Sequence, residues 1–218
     1  DYLVIGAGMA GLACATQLAR GGASVTVLDK GRGPGGRMAA RRVEIGAEQV
    51  SFDHGAQYFT ARDPAFRAVV AAWEAAGVAA RWPAAGDDAW VGTPGMNAPI
   101  RAMAGSGAEA VDVRWNVRAE GITRAGGRWQ VNTGENIFTA ERVLVAVPAE
   151  QAAVLLADAA PALARLAGSV VSAPCWAVMA GFAERLPIAL DCFRSDTGPV
   201  SWAARNSAKP GRSGGEGW

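Results

Sequence analysis

Gly6, Gly8 and Gly11 stand at Gly-x-Gly-x-x-Gly spacing, directly after the apolar run Tyr2-Leu3-Val4-Ile5 and directly before the helical run Leu12–Ala19. The chemistry such a turn can do is anion binding. The first glycine allows a tight turn, the second lets backbone approach a pyrophosphate, and the third lets helix and strand pack closely. The unpaired N–H groups at the helix start then favour a phosphate. Asp29 ends a second β-favouring run, Ser24–Leu28, about 20 residues past the glycines, where a carboxylate accepts the hydroxyls of an adenosine ribose. Glycine-rich turns are common, so it is this strand, turn, helix, strand and acid order that marks a dinucleotide site.

A second cluster, Lys30-Gly31-Arg32-Gly33-Pro34-Gly35-Gly36-Arg37-Met38, follows at once. It adds backbone donors, and Arg37 adds a fork suited to phosphate or to a flavin carbonyl. A nicotinamide-binding unit usually has no such second cluster, so the pair favours FAD over NAD. Further on, Asp53-His54-Gly55-Ala56-Gln57-Tyr58-Phe59 places small residues where a flat ligand can approach, with Gln57 as a donor. His54, the single histidine, is either a base or, more simply, a residue that orders this loop. Arg205, Lys209 and Arg212 form a basic stretch that either attracts an anionic substrate or, more simply, solvates a surface loop.

The bulk composition removes several function classes. At 218 residues the chain is one large domain or two small ones, half of it hydrophobic, with a net charge of +1. Nucleic-acid binding calls for a basic excess that is absent here. No apolar run approaches the roughly 18 residues of a membrane span; the longest, Val143–Ala149 and Cys175–Phe182, are strand length. Cys14, Cys175 and Cys192 are isolated, and with His54 they offer no metal spacing. No secretory leader precedes the first strand, so the expectation is a reduced, cytoplasmic protein without metal, nucleic-acid or membrane partners. Its partner is a small-molecule substrate, and its oligomeric state is open. Both ends read as trimmed.

Around the motifs, the chain reads as α/β. Ala40–Ile45 and Gln49–Asp53 form a hairpin turning at Gly46-Ala47-Glu48, and Asp63-Pro64 starts a helix to Ala76, apolar around much of its girth and so expected to be buried. Residues 78–96 suggest a small sheet, with Trp90 and Met96 in a core rather than a ligand wall. Asn97 caps a short helix to Met103. Val111–Arg114 reads as a further parallel strand, Val117–Ile122 and Arg128–Val131 as a meander, and Arg142–Val147 as a buried strand stopped by Pro148. Helices at Glu150–Leu156 and Pro161–Ala167 precede a strand over Ala173–Phe182, and a last strand from Val200 runs into the basic loop. The expected organisation is a Rossmann-like FAD-binding domain, a parallel sheet with a β-meander, over residues 1–60 and 105–168. A smaller α+β substrate domain takes 61–104 and 169–218.

Taken in order, Gly6-Ala7-Gly8-Met9-Ala10-Gly11, Gly35-Gly36-Arg37-Met38, Asp53-His54-Gly55-Ala56-Gln57-Tyr58-Phe59, Trp90-Val91-Gly92-Thr93-Pro94-Gly95-Met96-Asn97 and Trp202-Ala203-Ala204-Arg205-Asn206 resemble bacterial renalase-like flavoproteins. These are a branch of the amine-oxidase superfamily with a glutathione-reductase type of FAD domain. The resemblance implies non-covalent FAD held by Gly6, Gly8, Met9, Ala10, Gly11, Asp29, Lys30, Gly36, Arg37, Met38, Gln57, Tyr58 and Val117. In it the glycines and Ala10 follow the pyrophosphate, Asp29 holds ribose, Val117 meets adenine through its backbone, and Arg37, Gln57 and Tyr58 line the flavin side. It further implies an oxidoreductase that moves a hydride from an isomeric dihydronicotinamide onto flavin, with oxygen as reoxidant; no catalytic side chain is assigned. An amine donor, an NAD(P)-linked reductase, and a truncated, non-catalytic nucleotide-binding module are the alternatives. Such flavoproteins continue for roughly another hundred residues. The C-terminal part of the fold is therefore expected to be missing, and these 218 residues alone are expected to be inactive and to hold FAD weakly.

Overall fold

The computed structural model describes residues 1–45, 48–105, 111–212 and 214–218. The chain divides into two compact units, Asp1–Gly36 with Ile100–Cys175, and Arg37–Pro99 with Trp176–Trp218.

In the first unit, four parallel strands lie in the order Arg142–Val145, Tyr2–Ile5, Val25–Asp29, Val111–Trp115. This is an α/β, Rossmann-like arrangement. Val4, Val25 and Val27 are fully buried on one face, and Leu3, Ile5 and Leu28 alternate onto the other. That second face packs against Ile122, Val131, Ala140 and Leu155. Three of these come from an antiparallel meander of Gly121–Ala125, Arg128–Asn132 and Ile137–Ala140. A sheet covered on both faces is why its strands read as continuous apolar runs. The meander starts at Gly121 rather than Val117, because Val117 N–H donates to Asp29 O at 2.9 Å. Helix Met9–Arg20 leaves the first strand through the glycine turn and stops at Gly21-Gly22, with Gly22 at φ 84°. Helices Ala149–Leu155 and Pro161–Gly168 close the unit.

The second unit contains the hairpin Ala40–Ile45 with Glu48–Asp53, whose predicted turn at 46–47 lies outside the described residues. Strands Phe59–Thr60, Ala89–Gly92 and Ala79–Arg81 make the small sheet. Helix Pro64–Ala75 starts as predicted: Asp63 Oδ1 accepts the Phe66 N–H at 3.0 Å, with Pro64 in the first turn. Its burial does not follow prediction. Only Val70 is fully buried; Phe66 and Trp73 pack with it against Phe59 and Trp90, and Val69 is 44% exposed. The many alanines supply apolar character without enough surface to demand cover. Trp90 and Met96 are core residues.

The fold departs from expectation at two further places. The stretch 173–180 is irregular and exposed, with Trp176 94% and Val178 85% accessible, and pairing begins only where Ala180 and Trp218 exchange N–H to O bonds at 2.8 Å. β-favouring residues make a strand only beside an edge that can pair with them. Residues 37–60 also group with the second unit rather than the first. Asp53, at the end of the hairpin, is tied to Met96, Lys209 and Arg212, and those ties are the physical reason.

Candidate cofactor and substrate site

The turn of the first unit shows why each glycine is needed. Gly6 has φ 106°, and a Cβ there would sit 2.6 Å from Ala146 O. At Gly11 a Cβ would lie 1.8 Å from Gly6 O, so that glycine sets the helix against the strand. Gly8 differs: its backbone is extended, with φ −78° and ψ −175°, and a Cβ would meet nothing within 4 Å. Neither conformation nor packing requires glycine there, and open space fronts the helix start. Gly8 is the N-cap without a side-chain cap bond, so the N–H groups of the first turn, from Met9 to Gly11, lack an intrahelical acceptor. Gly36, at φ 53°, would carry a Cβ 3.4 Å from Gly8 Cα, which brings the second glycine cluster against the first.

Asp29 does more than its position in sequence indicates. Its Oδ2 accepts the Ala7 N–H at 2.6 Å and its Oδ1 accepts the Gly31 N–H at 2.7 Å. The carboxylate thus ties the glycine turn to the loop behind it. A carboxylate offers about four acceptor positions, so two remain for ribose hydroxyls. Lys30 turns elsewhere, donating to Gln151 Oε1 at 2.7 Å. Val117 spends its N–H on Asp29 O.

In the second unit, Gly55 is required by the chain itself rather than by a flat ligand. A Cβ there would stand 2.1 Å from Arg37 O, which accepts the Ala56 N–H at 2.9 Å. The Arg37 side chain is exposed, while Met38, like Ala56 and Tyr58, packs against the cluster of Trp82, Val91, Met96 and Ala204. Gln57 is held at both ends of its amide: Nε2 donates to Asp53 O, and Oε1 accepts from Lys209 Nζ at 2.8 Å. Tyr58 packs against Trp202, with ring centroids 5.6 Å apart, and its hydroxyl accepts from Arg194. His54 is exposed, and its ring makes no hydrogen bond to a described residue; Asp53 and the Arg37–Ala56 bond order the loop instead.

The basic stretch overturns the solvated-loop expectation. Arg205 and Lys209 are 0% and 2% exposed. Asp53 Oδ1 accepts the Met96 N–H at 2.9 Å, while Oδ2 accepts from Lys209 at 3.2 Å and from Arg212 at 2.5 Å. Burial pushes the Lys209 ammonium down to about 8, against the pull of Asp53. Arg205 donates to Glu216 Oε1 at 2.9 Å and to Asp191 Oδ1 at 2.5 Å, and its guanidinium lies over the Trp218 ring. Burial would raise the Glu216 carboxyl, but the Trp218 indole N–H and Arg205 outweigh it and hold it below its ordinary value. These cations are consumed by internal carboxylates and do not recruit an anion. The hub at Asp53 leaves no local signal in the chain, because its partners lie 156 and 159 positions away.

The strand, glycine turn, helix and terminal carboxylate define a dinucleotide-binding α/β protein. Comparison with known families agrees. Residues 4–73 match the NAD(P)-binding Rossmann-like domain, and residues 83–213, more than half of the chain, match the flavin containing amine oxidoreductase family. The chain belongs to that family, and its cofactor is FAD. Among solved structures, it is similar to a candidate protoporphyrinogen oxidase from Exiguobacterium sp. 255-15, with a TM-score of 0.56 and 13% identity over 72% of this chain. The chain spans 61% of that protein's length. A thioredoxin reductase of T. acidophilum matches at TM-score 0.39 and 20% identity, over 66% of this chain and 34% of its own. The residues present fit FAD: an unfilled cradle at Gly8, uncapped N–H groups for the diphosphate, and spare acceptor positions on Asp29.

Proposed function

We propose that the chain is the cofactor- and substrate-binding part of an FAD-dependent oxidoreductase of the renalase-like branch, oxidising a small dihydronicotinamide-type donor with oxygen as final acceptor. Accepting a hydride and passing the electrons on is the chemistry FAD supplies when bound. The protein's share is binding and orientation. The N-terminus of helix Met9–Arg20 offsets diphosphate charge, Gly8 admits the phosphates to the backbone, and Asp29 orients the ribose. Lys30 contributes its backbone beside the ribose, its ammonium being held by Gln151, while Gly36 lies against Gly8 and Val117 meets adenine through its backbone in this reading. Arg37, Met38, Gln57 and Tyr58 form the flavin side in this reading; Gln57 reaches the ligand already fixed by Lys209 and Asp53. The first unit serves as nucleotide domain and the second as substrate domain. The separate cysteines suit a reducing compartment, and we place the protein in the cytoplasm.

The observation that carries this reading is the open space at Gly8, the one glycine of the turn that neither conformation nor neighbours require. An amine donor is the second reading, favoured by the description of the matching family. The test is to express the complete reading frame that encodes this chain, record its visible spectrum, and mix it anaerobically with amines and with dihydronicotinamide isomers. Bleaching of a yellow protein by the isomers supports the proposal. Bleaching by amines alone overturns the donor, and a colourless protein that FAD cannot reconstitute overturns the enzyme in favour of a binding module.

A further inference from the structure

An aromatic hollow of about 280 Å³ in the second unit is lined by Gln57, Tyr58, Arg194, Ser201 and Trp202. The Arg194 guanidinium lies over both rings, 5.5 Å from the Tyr58 centroid and 5.1 Å from that of Trp202, and it donates to the Tyr58 hydroxyl. Two ring faces and a phenol oxygen hold the fork in place, so its remaining N–H groups are pre-organised for a planar acceptor. Among the described residues no carboxylate stands within ion-pair distance of Arg194, whereas Arg205, Lys209 and Arg212 of the same unit are each paired. The hollow therefore carries one uncompensated positive charge. Its lining also includes the pinned Gln57 amide and the Ser201 and Tyr58 hydroxyls. The indole N–H of Trp202, also a lining residue, is buried without an acceptor among the described residues. The volume admits about one substituted ring.

We propose that this hollow is a binding site for a planar organic anion, with the anionic group on Arg194 and the ring against Trp202 and Tyr58. The inference rests on the oxidoreductase reading in making the occupant the donor substrate, and it requires a donor with an anionic group attached to its ring, as a dihydronicotinamide nucleotide has through its phosphate and free nicotinamide has not. It sets an order among donors: a simple cationic amine meets a like charge here, and an anionic heterocycle meets its complement.

The test is calorimetric titration of the complete protein with nicotinate, with nicotinamide, and with inorganic phosphate. The first two share a ring and differ in charge; the third has charge without a ring. Nicotinate is expected to bind at least about tenfold more tightly than either of the others. Arg194→Gln should abolish that preference and Arg194→Lys should retain part of it, in variants whose cooperative thermal unfolding shows that they remain folded. Equal binding of nicotinate and nicotinamide, or a preference that survives Arg194→Gln, overturns the anion site; phosphate binding as tightly as nicotinate overturns the role of the rings. The two readings fail separately. A flavin-loaded protein without the nicotinate preference refutes this site alone, and a protein that has the preference but whose flavin no donor bleaches refutes the donor assignment alone.

Discussion

Replacing Gly8 and Gly11 in turn separates cofactor binding from folding. In Gly11→Ala the new methyl would stand 1.8 Å from Gly6 O and 3.0 Å from Gly6 C, both backbone atoms. The helix must shift by more than an ångström to restore contact distance, and overpacking of this kind costs about 1–3 kcal/mol or more. In Gly8→Ala the methyl meets nothing within 4 Å, and the extended backbone accepts alanine. Its effect on folding should lie within about 0.5 kcal/mol. Its effect on FAD should be large, because the methyl occupies the space where the diphosphate meets backbone: a loss of about 10- to 100-fold in affinity, or roughly 1.4–2.8 kcal/mol. Urea unfolding of the apoprotein gives the first quantity, and titration with FAD followed by flavin fluorescence gives the second. Gly11→Ala should lower both. If Gly8→Ala binds FAD with unchanged affinity, the open space is not the phosphate cradle.

Asp29→Asn should weaken FAD binding and also destabilise the apoprotein by about 1–3 kcal/mol, because one of the two backbone N–H groups it serves would face an amide NH₂; urea unfolding without cofactor shows the second effect. Lys209 predicts a pH dependence. The unfolded chain keeps that proton to about 10.5 and the folded protein to about 8, so between these values unfolding takes up a proton and rising pH favours the fold. Relative to Lys209→Met, the wild type should gain on the order of 3 kcal/mol from pH 7 to pH 11, read from urea midpoints; parallel profiles would contradict it. Arg205→Ala should cost about 3–5 kcal/mol, because Glu216 is left buried with its principal charge partner gone. Thermal unfolding measures this, and a shift of a degree or less would be inconsistent with it.

The parts legible in the sequence are those whose causes lie close together along the chain. The glycine turn is built from contacts between residues five apart, Gly6 and Gly11, and spacing alone encodes them. The cap of helix Pro64–Ala75 lies in two adjacent residues, Asp63 and Pro64. The parallel strands announce themselves because burial on both faces demands unbroken apolar runs. What escaped the sequence depends on distant partners. Lys209 and Arg212 look like solvated charges until Asp53, far away in the chain, is folded against them. Residues 173–180 have strand composition but no edge beside most of them. Gly55 beside Ala56 suggested room for a ligand, yet the group that approaches is the peptide of Arg37. Asp29 was legible as a ribose ligand, but its second task, holding Ala7 and Gly31, needed coordinates.

The most direct measurement is the visible absorption spectrum of the complete protein, purified without added cofactor and then dialysed against excess FAD or excess NAD. Flavin bands should survive gel filtration after FAD, and no nucleotide should be retained after NAD. A protein that stays colourless in FAD, or that retains NAD in its place, would contradict the FAD assignment.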